Sequence, residues 1–270
     1  MNAPSAVALL KSEAICLNVR PFSKTSHMVT WLTAEHGRLS TPVKGAQRPK
    51  SGFVGRYDLG YVCEVVFYAR ERNGVHHIRE CTPLRFNEAL RGQWRATAAA
   101  GYVCDLALRA ARPGLPLPQL YAALAETLDA LPGCAPHELT LAVLWMECRT
   151  LEALGVPPVF ARCAACPPSP RGDFSVEEGR FVCEHRPSRL RRPATVMLHD
   201  HATELYALLA RTPLGGVLRE ARASGRTDAL GRPEPFPGIF GLRRFLGLFL
   251  AEHLDLLPGA RRTALDLLIG

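Results

Sequence analysis

The chain has 270 residues, 47% of them apolar and 21% charged, so it can fill a packed core, global disorder is excluded, and the length favours more than one domain. Lys and Arg number 33 against 25 Asp and Glu, a formal charge of +8 that admits a polyanionic partner. The apolar run Phe245 to Ala251 is far shorter than the roughly 18–20 residues that cross a bilayer, and no basic stretch precedes the first apolar residues, so a cytoplasmic protein without a secretory leader is expected.

From Ser12 to Pro83 short β-rich runs follow one another, near 12–20, 27–34, 38–44, 57–70 and 75–82. Gly37 falls where a tight hairpin needs positive φ, and Asn73-Gly74 supplies a second turn pair. Five short antiparallel strands in about 80 residues fit a small closed barrel of the OB type.

After Pro83 the apolar period changes from two to about three and a half. Trp94 to Ala111 forms one helix, stopped by Pro113-Gly114. In Pro116 to Leu131 a single stripe holds Leu117, Leu120, Tyr121, Leu124, Leu128 and Leu131, and Pro132-Gly133 ends it. Segment 138–154 places Leu141, Leu144, Trp145, Cys148 and Leu151 on one face, and these three helices are expected to pack together. Further helices are expected near 198–211, 213–223 and 239–257, with Gly225 to Gly238 a Pro/Gly-rich loop. The fold class is therefore α+β and multi-domain. An OB-fold β-barrel over residues 1–84 precedes an all-α domain over 85–270, which carries a zinc-knuckle insertion at about 160–192.

Six of the nine cysteines lie singly, most of them inside apolar patterns, where they act as small hydrophobes. The other three form Cys163-Ala164-Ala165-Cys166 and, after sixteen intervening residues, Cys183-Glu184-His185. Two thiolates separated by two residues grip one Zn²⁺, and a second Cys/His pair completes a tetrahedron. Cys163, Cys166, Cys183 and His185 are the expected ligands of one zinc ion. The C-x-H spacing is tight, so His199 and His201 stand in reserve for the fourth position.

The stretch Gly37 to Arg56 holds five cations, Arg38, Lys44, Arg48, Lys50 and Arg56, and no anion. On a loop beside a barrel strand these cations suit phosphates, with Gly45 and Gly52 shaping the loop. Phe53, Tyr57, Tyr61, Phe67 and Tyr68 offer stacking faces or belong to the core. Arg186, Arg189, Arg191 and Arg192 form a second basic cluster. The sequence has no G-x-x-x-x-G-K-[ST], G-x-S-x-G, H-E-x-x-H or dinucleotide fingerprint, and Asp58 and Glu64 stand isolated, so no enzyme is expected.

The segments Ser12 to Ser40, Val43 to Ser51 and Leu151 to Pro158, the last just before Arg162 to Cys166, resemble the RecO family of bacterial DNA repair proteins. The resemblance covers nearly the whole chain and weakens from about residue 190. It implies an N-terminal OB fold, a helical C-terminal domain with an often zinc-bearing insertion, and a non-enzymatic recombination mediator. Such a mediator binds and anneals single-stranded DNA, works with RecR and with the acidic C-terminal tail of single-stranded DNA-binding protein, and helps load RecA. Arg109, Arg112 and Arg149, on or at the ends of helices with apolar faces, are candidates to receive that tail. A zinc-stabilised protein adaptor with incidental DNA affinity is the alternative reading.

Overall fold

The computed structural model describes residues 8–69, 75–225, 236–254, 256 and 258–269. The Asn73-Gly74 turn and most of the Gly225 to Gly238 loop lie outside the described residues. Two compact units divide the chain, Met1–Pro132 and Gly133–Gly270.

The first unit is built on a five-stranded antiparallel sheet: β1 (Leu9–Ser23), β2 (Ser26–Thr33), β3 (Gly37–Val43), β4 (Val62–Tyr68) and β5 (His77–Arg85), in the order β3-β2-β1-β4-β5. β1 is the long strand. Its first half pairs with β4 from Leu9 to Ile15 and its second half with β2 from Ala14 to Ser23. The register shifts between Cys16 and Asn18, and such an irregularity bends a strand and strengthens its twist. One strand thereby serves two differently directed partners. At the sheet's two edges, the His76 N–H donates to Ser40 O at 2.8 Å.

Alternation gives each strand two faces. Ala14, Cys16, Val29, Trp31, Leu39, Val43, Cys63, Val65 and Phe67 form one core cluster, and inside it Trp31 Nε1 donates to Thr41 Oγ1 at 2.9 Å. Residues of opposite parity, Ile15, Leu17 and Leu32, are equally buried, because α1 (Trp94–Ala110) and α2 (Pro118–Ala130) pack against β1 and β2. The buried residues of α1 include Ala96, Ala99, Ala100, Ala107 and Ala110, and small side chains permit close approach. Gly37, at φ +64°, lies where a Cβ would fall 2.2 Å from Leu115 O. Only glycine fits that turn.

The second unit is arranged around α3 (Pro136–Ala153), buried along most of its length, with α4 (Asp200–Arg211), α5 (Leu214–Ser224), α6 (Ile239–Leu254) and α7 (Pro258–Ile269) packed on it. Two expectations are corrected here. α3 belongs to this unit, whereas α1 and α2 pack together in the other. This unit is also not all helical, since β6 (Arg171–Ser175), β7 (Arg180–Phe181) and β8 (Thr195–His199) make a three-stranded sheet in the order β7-β6-β8. Phe160, Phe174, Phe181, Phe245 and Phe249 join that sheet to α6 through ring contacts of 5.1–6.4 Å. No helix among the described residues is long and apolar enough to cross a membrane.

Candidate nucleic-acid interface and metal centre

The chain between β3 and β4 winds as successive turns. Arg48 N–H donates to Gly45 O, Ser51 N–H to Arg48 O, Val54 N–H to Ser51 O and Arg56 N–H to Phe53 O, at 2.9–3.3 Å. This winding leaves few side chains inside, so its cations point outward. It is pinned to the sheet at three places. Gln47 N–H donates to Thr25 O at 3.1 Å, Gly45 N–H donates to Ser26 Oγ at 3.2 Å, and Arg56 O accepts from Cys63 Sγ and Cys81 Sγ at 3.4 and 3.6 Å. A side-chain relay adds to the first anchor: Gln47 Nε2 and Tyr57 Oη each lie 2.8 Å from a ring nitrogen of His27. With the Gln47 amide donating to Nε2, His27 Nδ1 carries the proton and donates to Tyr57.

Lys44, Arg48, Lys50 and Arg56 are all exposed on this loop, and among the described residues no ion pair engages any of them. Gly45 has φ +66°, and a Cβ there would fall 3.3 Å from the Arg48 side chain, so the Arg48 stem lies across it. Arg38 is held elsewhere, at the opposite end of β3: its Nη1 donates to Leu108 O at 2.8 Å and its N–H to Arg112 O at 3.2 Å. That side chain secures the β2–β3 turn to the end of α1.

Of the aromatics singled out from the sequence, Tyr61 and Phe67 are core residues, while Phe53 and Tyr57 pack against that core half-buried. Tyr68 is exposed, at the end of β4. The aromatic beside the basic loop is one that the sequence did not single out: Phe22, 56% exposed at the tip of the β1–β2 hairpin. Its signal was the acid-free run Arg20 to Thr25, short and easily taken for an ordinary turn.

In the second unit, one potential ligand atom from each of Cys163, Cys166, Cys183 and His185 lies within 4.8 Å of the others. Two tight turns achieve this, with Cys166 N–H donating to Cys163 O and reciprocal bonds joining Cys183 and Arg186 at 3.1 Å. A zinc–thiolate tetrahedron with bonds of about 2.3 Å has edges near 3.8 Å, and Cys166 Sγ lies 3.4 Å from His185 Nδ1. The set can hold a metal ion, through His185 as expected. His199 and His201 are engaged otherwise: their rings stack at 4.6 Å, and His199 Nδ1 accepts from the His201 N–H at the start of α4. The Cys183 contact pushes the Cys166 thiol up to about 11.

Arg162 fixes the knuckle to its support. Its guanidinium pairs with Asp200 and lies 4.0 Å from the Phe181 ring centroid. It passes over Gly172, where a Cβ would fall 2.2 Å from Nη1. Arg186, Arg189, Arg191 and Arg192 are exposed beyond the knuckle.

The three arginines expected to receive a peptide tail fall in both units. Arg109 pairs with Asp105 at 2.8 Å, and Arg112 is exposed. Arg149 donates to Ala210 O at the end of α4 and lies 5.5 Å from the Trp145 ring centroid.

A sheet bearing a cationic loop is followed by a largely helical unit with a Cys/His cluster, and comparison with known proteins shows which family the chain belongs to. The family profiles "Recombination protein O N terminal" and "Recombination protein O C terminal" match residues 7–87 and 91–262. The chain belongs to the RecO family. It is 30% identical over 223 residues to the DNA repair protein RecO of Desulforudis audaxviator, covering 81% of this chain and 87% of that protein. It is 28% identical over 257 residues to the RecO of Anaeromyxobacter sp. strain K, covering 94% of each. With the RecO of Moorella thermoacetica it shares 29% identity over 168 residues, 62% of this chain and 61% of the relative. Membership implies a role in DNA repair and recombination.

Proposed function

We propose that this protein is a recombination mediator that binds single-stranded DNA, anneals complementary strands and helps load RecA onto strands covered by single-stranded DNA-binding protein. The observation that carries this reading is the pinned loop with Lys44, Arg48, Lys50 and Arg56 exposed and, among the described residues, free of ion pairs. Anchored cations meet phosphates without first leaving a carboxylate, and neutralising phosphates releases counterions. Partial neutralisation also reduces the repulsion between two approaching strands.

In this reading residues 1–84 carry the DNA contacts on an OB barrel closed between β3 and β5, consistent with the His76 to Ser40 hydrogen bond. Residues 85–270 carry the contacts to RecR and to the acidic tail of single-stranded DNA-binding protein. Arg112 is the best placed of the three named arginines for the tail, because Arg109 and Arg149 already have partners. Zinc held by Cys163, Cys166, Cys183 and His185 ties the knuckle at 160–192 into one shape. The protein acts by binding, with no chemical step of its own.

The test is annealing of two complementary oligonucleotides, first bare and then coated with single-stranded DNA-binding protein, alongside a nucleotide-hydrolysis assay. Acceleration of annealing without turnover is expected. Failure to bind single strands at moderate salt would favour a protein adaptor instead.

A further inference from the structure

The tip of the β1–β2 hairpin and the start of the basic loop border an open cleft of about 510 Å³, lined in part by Phe22, Ser23, Thr25, Lys44, Gly45 and Arg48. None of its described lining residues is acidic. Phe22 presents an aromatic face, 56% exposed, with no ring partner among the described residues. Lys44 and Arg48 supply two cations without ion pairs among the described residues, and Ser23 and Thr25 supply hydroxyls. Gly45, lacking a Cβ, leaves room for the Arg48 stem to lie beside the cleft. The walls are fixed to each other through the Gly45–Ser26 and Gln47–Thr25 hydrogen bonds, at 3.2 and 3.1 Å.

A flat apolar face beside two cations and hydroxyl donors matches a nucleotide, whose base has a π-face and whose phosphate is an anion. The volume lies within the range of about 300–1,000 Å³ typical of small-ligand sites. We infer that this cleft is a nucleotide slot in which one base of a single strand stacks on Phe22 while its phosphate is held by Lys44 and Arg48. The inference rests on the DNA-binding reading above and adds to it a strand-state preference. Phosphates are common to single strands and duplexes, and four cations alone do not distinguish them well. Bases in a duplex are already stacked on their neighbours and present no face to Phe22. Stacking on an aromatic side chain needs no hydrogen-bond readout, so the slot accepts any base.

The test uses the full chain and three fluorescent ligands of equal length: a mixed-sequence single strand, the matching duplex, and an abasic single strand. Phe22→Ala is compared with wild type, with Phe22→Trp, and with the double variant Arg48→Ala/Lys50→Ala. Because Phe22 is exposed, its removal should leave the melting temperature unchanged. Phe22→Ala is expected to weaken binding to the mixed-sequence strand about 5- to 150-fold, the range for one aromatic on one base. Its affinity for the duplex and the abasic strand should match wild type, and Phe22→Trp should retain tight single-strand binding. The double variant should weaken binding to all three. If the double variant weakens binding and Phe22→Ala binds every ligand as wild type does, the slot is wrong and the DNA-binding reading stands. If wild type binds no single strand, both are wrong.

Discussion

Arg261 of α7 and Glu147 of α3 form a buried two-pronged ion pair, with Nε donating to Oε1 at 2.6 Å and Nη2 to Oε2 at 2.7 Å. The pair fastens α7 to the central helix of the second unit. Removing one partner from a buried pair strands the other charge in a low-dielectric interior, at a cost of about 3–5 kcal/mol. Arg261→Leu is therefore expected to lower stability by about that amount in urea denaturation, and the double variant Glu147→Met/Arg261→Leu to recover most of it. Equal stability of Arg261→Leu and wild type would show that the ion pair does not fasten α7 and leave its buried Leu265 and Leu268 to do so.

Gly247 on α6 sits beneath the same arginine, where a Cβ would fall 2.8 Å from Arg261 Nη1. In an open helix Gly→Ala stabilises by about 0.5–1 kcal/mol. Here the guanidinium cannot swing aside without breaking its bonds to Glu147, so Gly247→Ala is expected to destabilise by about 1–3 kcal/mol. In an Arg261→Leu background the same change should become neutral or stabilising, which a thermal melt of the four proteins decides.

Much of the first unit was legible in the sequence because its strands alternate cleanly: Val29 and Trp31 face one core, and Gly37 stands where the turn demands positive φ. The stripe of α2 was legible for the same reason, in the other period. β6, β7 and β8 were not, since strands of 5, 2 and 5 residues carry too little pattern, and Thr195–His199 runs directly into the cap of α4. α7 was hidden because Pro258, its first residue, reads equally well as the end of α6. The four candidate metal ligands were readable from spacing, as each half, Cys163/Cys166 and Cys183/His185, brings two donor atoms together within one tight turn. The roles of Arg38 and Arg149 were not, since the carbonyls they bind lie 70 and 61 residues away.

Glu138, almost wholly buried at the start of α3, accepts from Arg222 at 2.6 and 3.0 Å and from the Ala135 N–H at 2.8 Å. The Arg222 hydrogen bonds, opposed by desolvation, hold its carboxyl below the usual range. A depressed folded-state value means that the contribution is complete above the unfolded value, near 4.3, and is lost as pH falls through the folded value. Glu138→Gln is expected to cost about 1–2 kcal/mol at pH 7, with the gap to wild type narrowing below about pH 4. A gap that stays constant from pH 7 to pH 3 would rule the ion pair out as its source.

Protein purified without added metal is expected to carry about one equivalent of zinc, and Cys163→Ser to carry almost none. His185→Ala should retain metal with lower affinity, because three thiolates still coordinate. Chelation should lower the melting temperature of wild type and leave Cys163→Ser unchanged. Metal content well below one equivalent in wild type would mean that the knuckle is held by packing alone, through Arg162 and the Phe160 cluster.

The most direct measurement of the DNA-binding role is the salt dependence of single-strand affinity, for wild type and for Arg48→Ala/Lys50→Ala. Each phosphate contact contributes about 0.7 to the log–log slope, so the double variant should bind more weakly and its slope should be flatter by about 1.4. An unchanged slope would contradict the assignment and move the phosphate track to the arginines between 186 and 192.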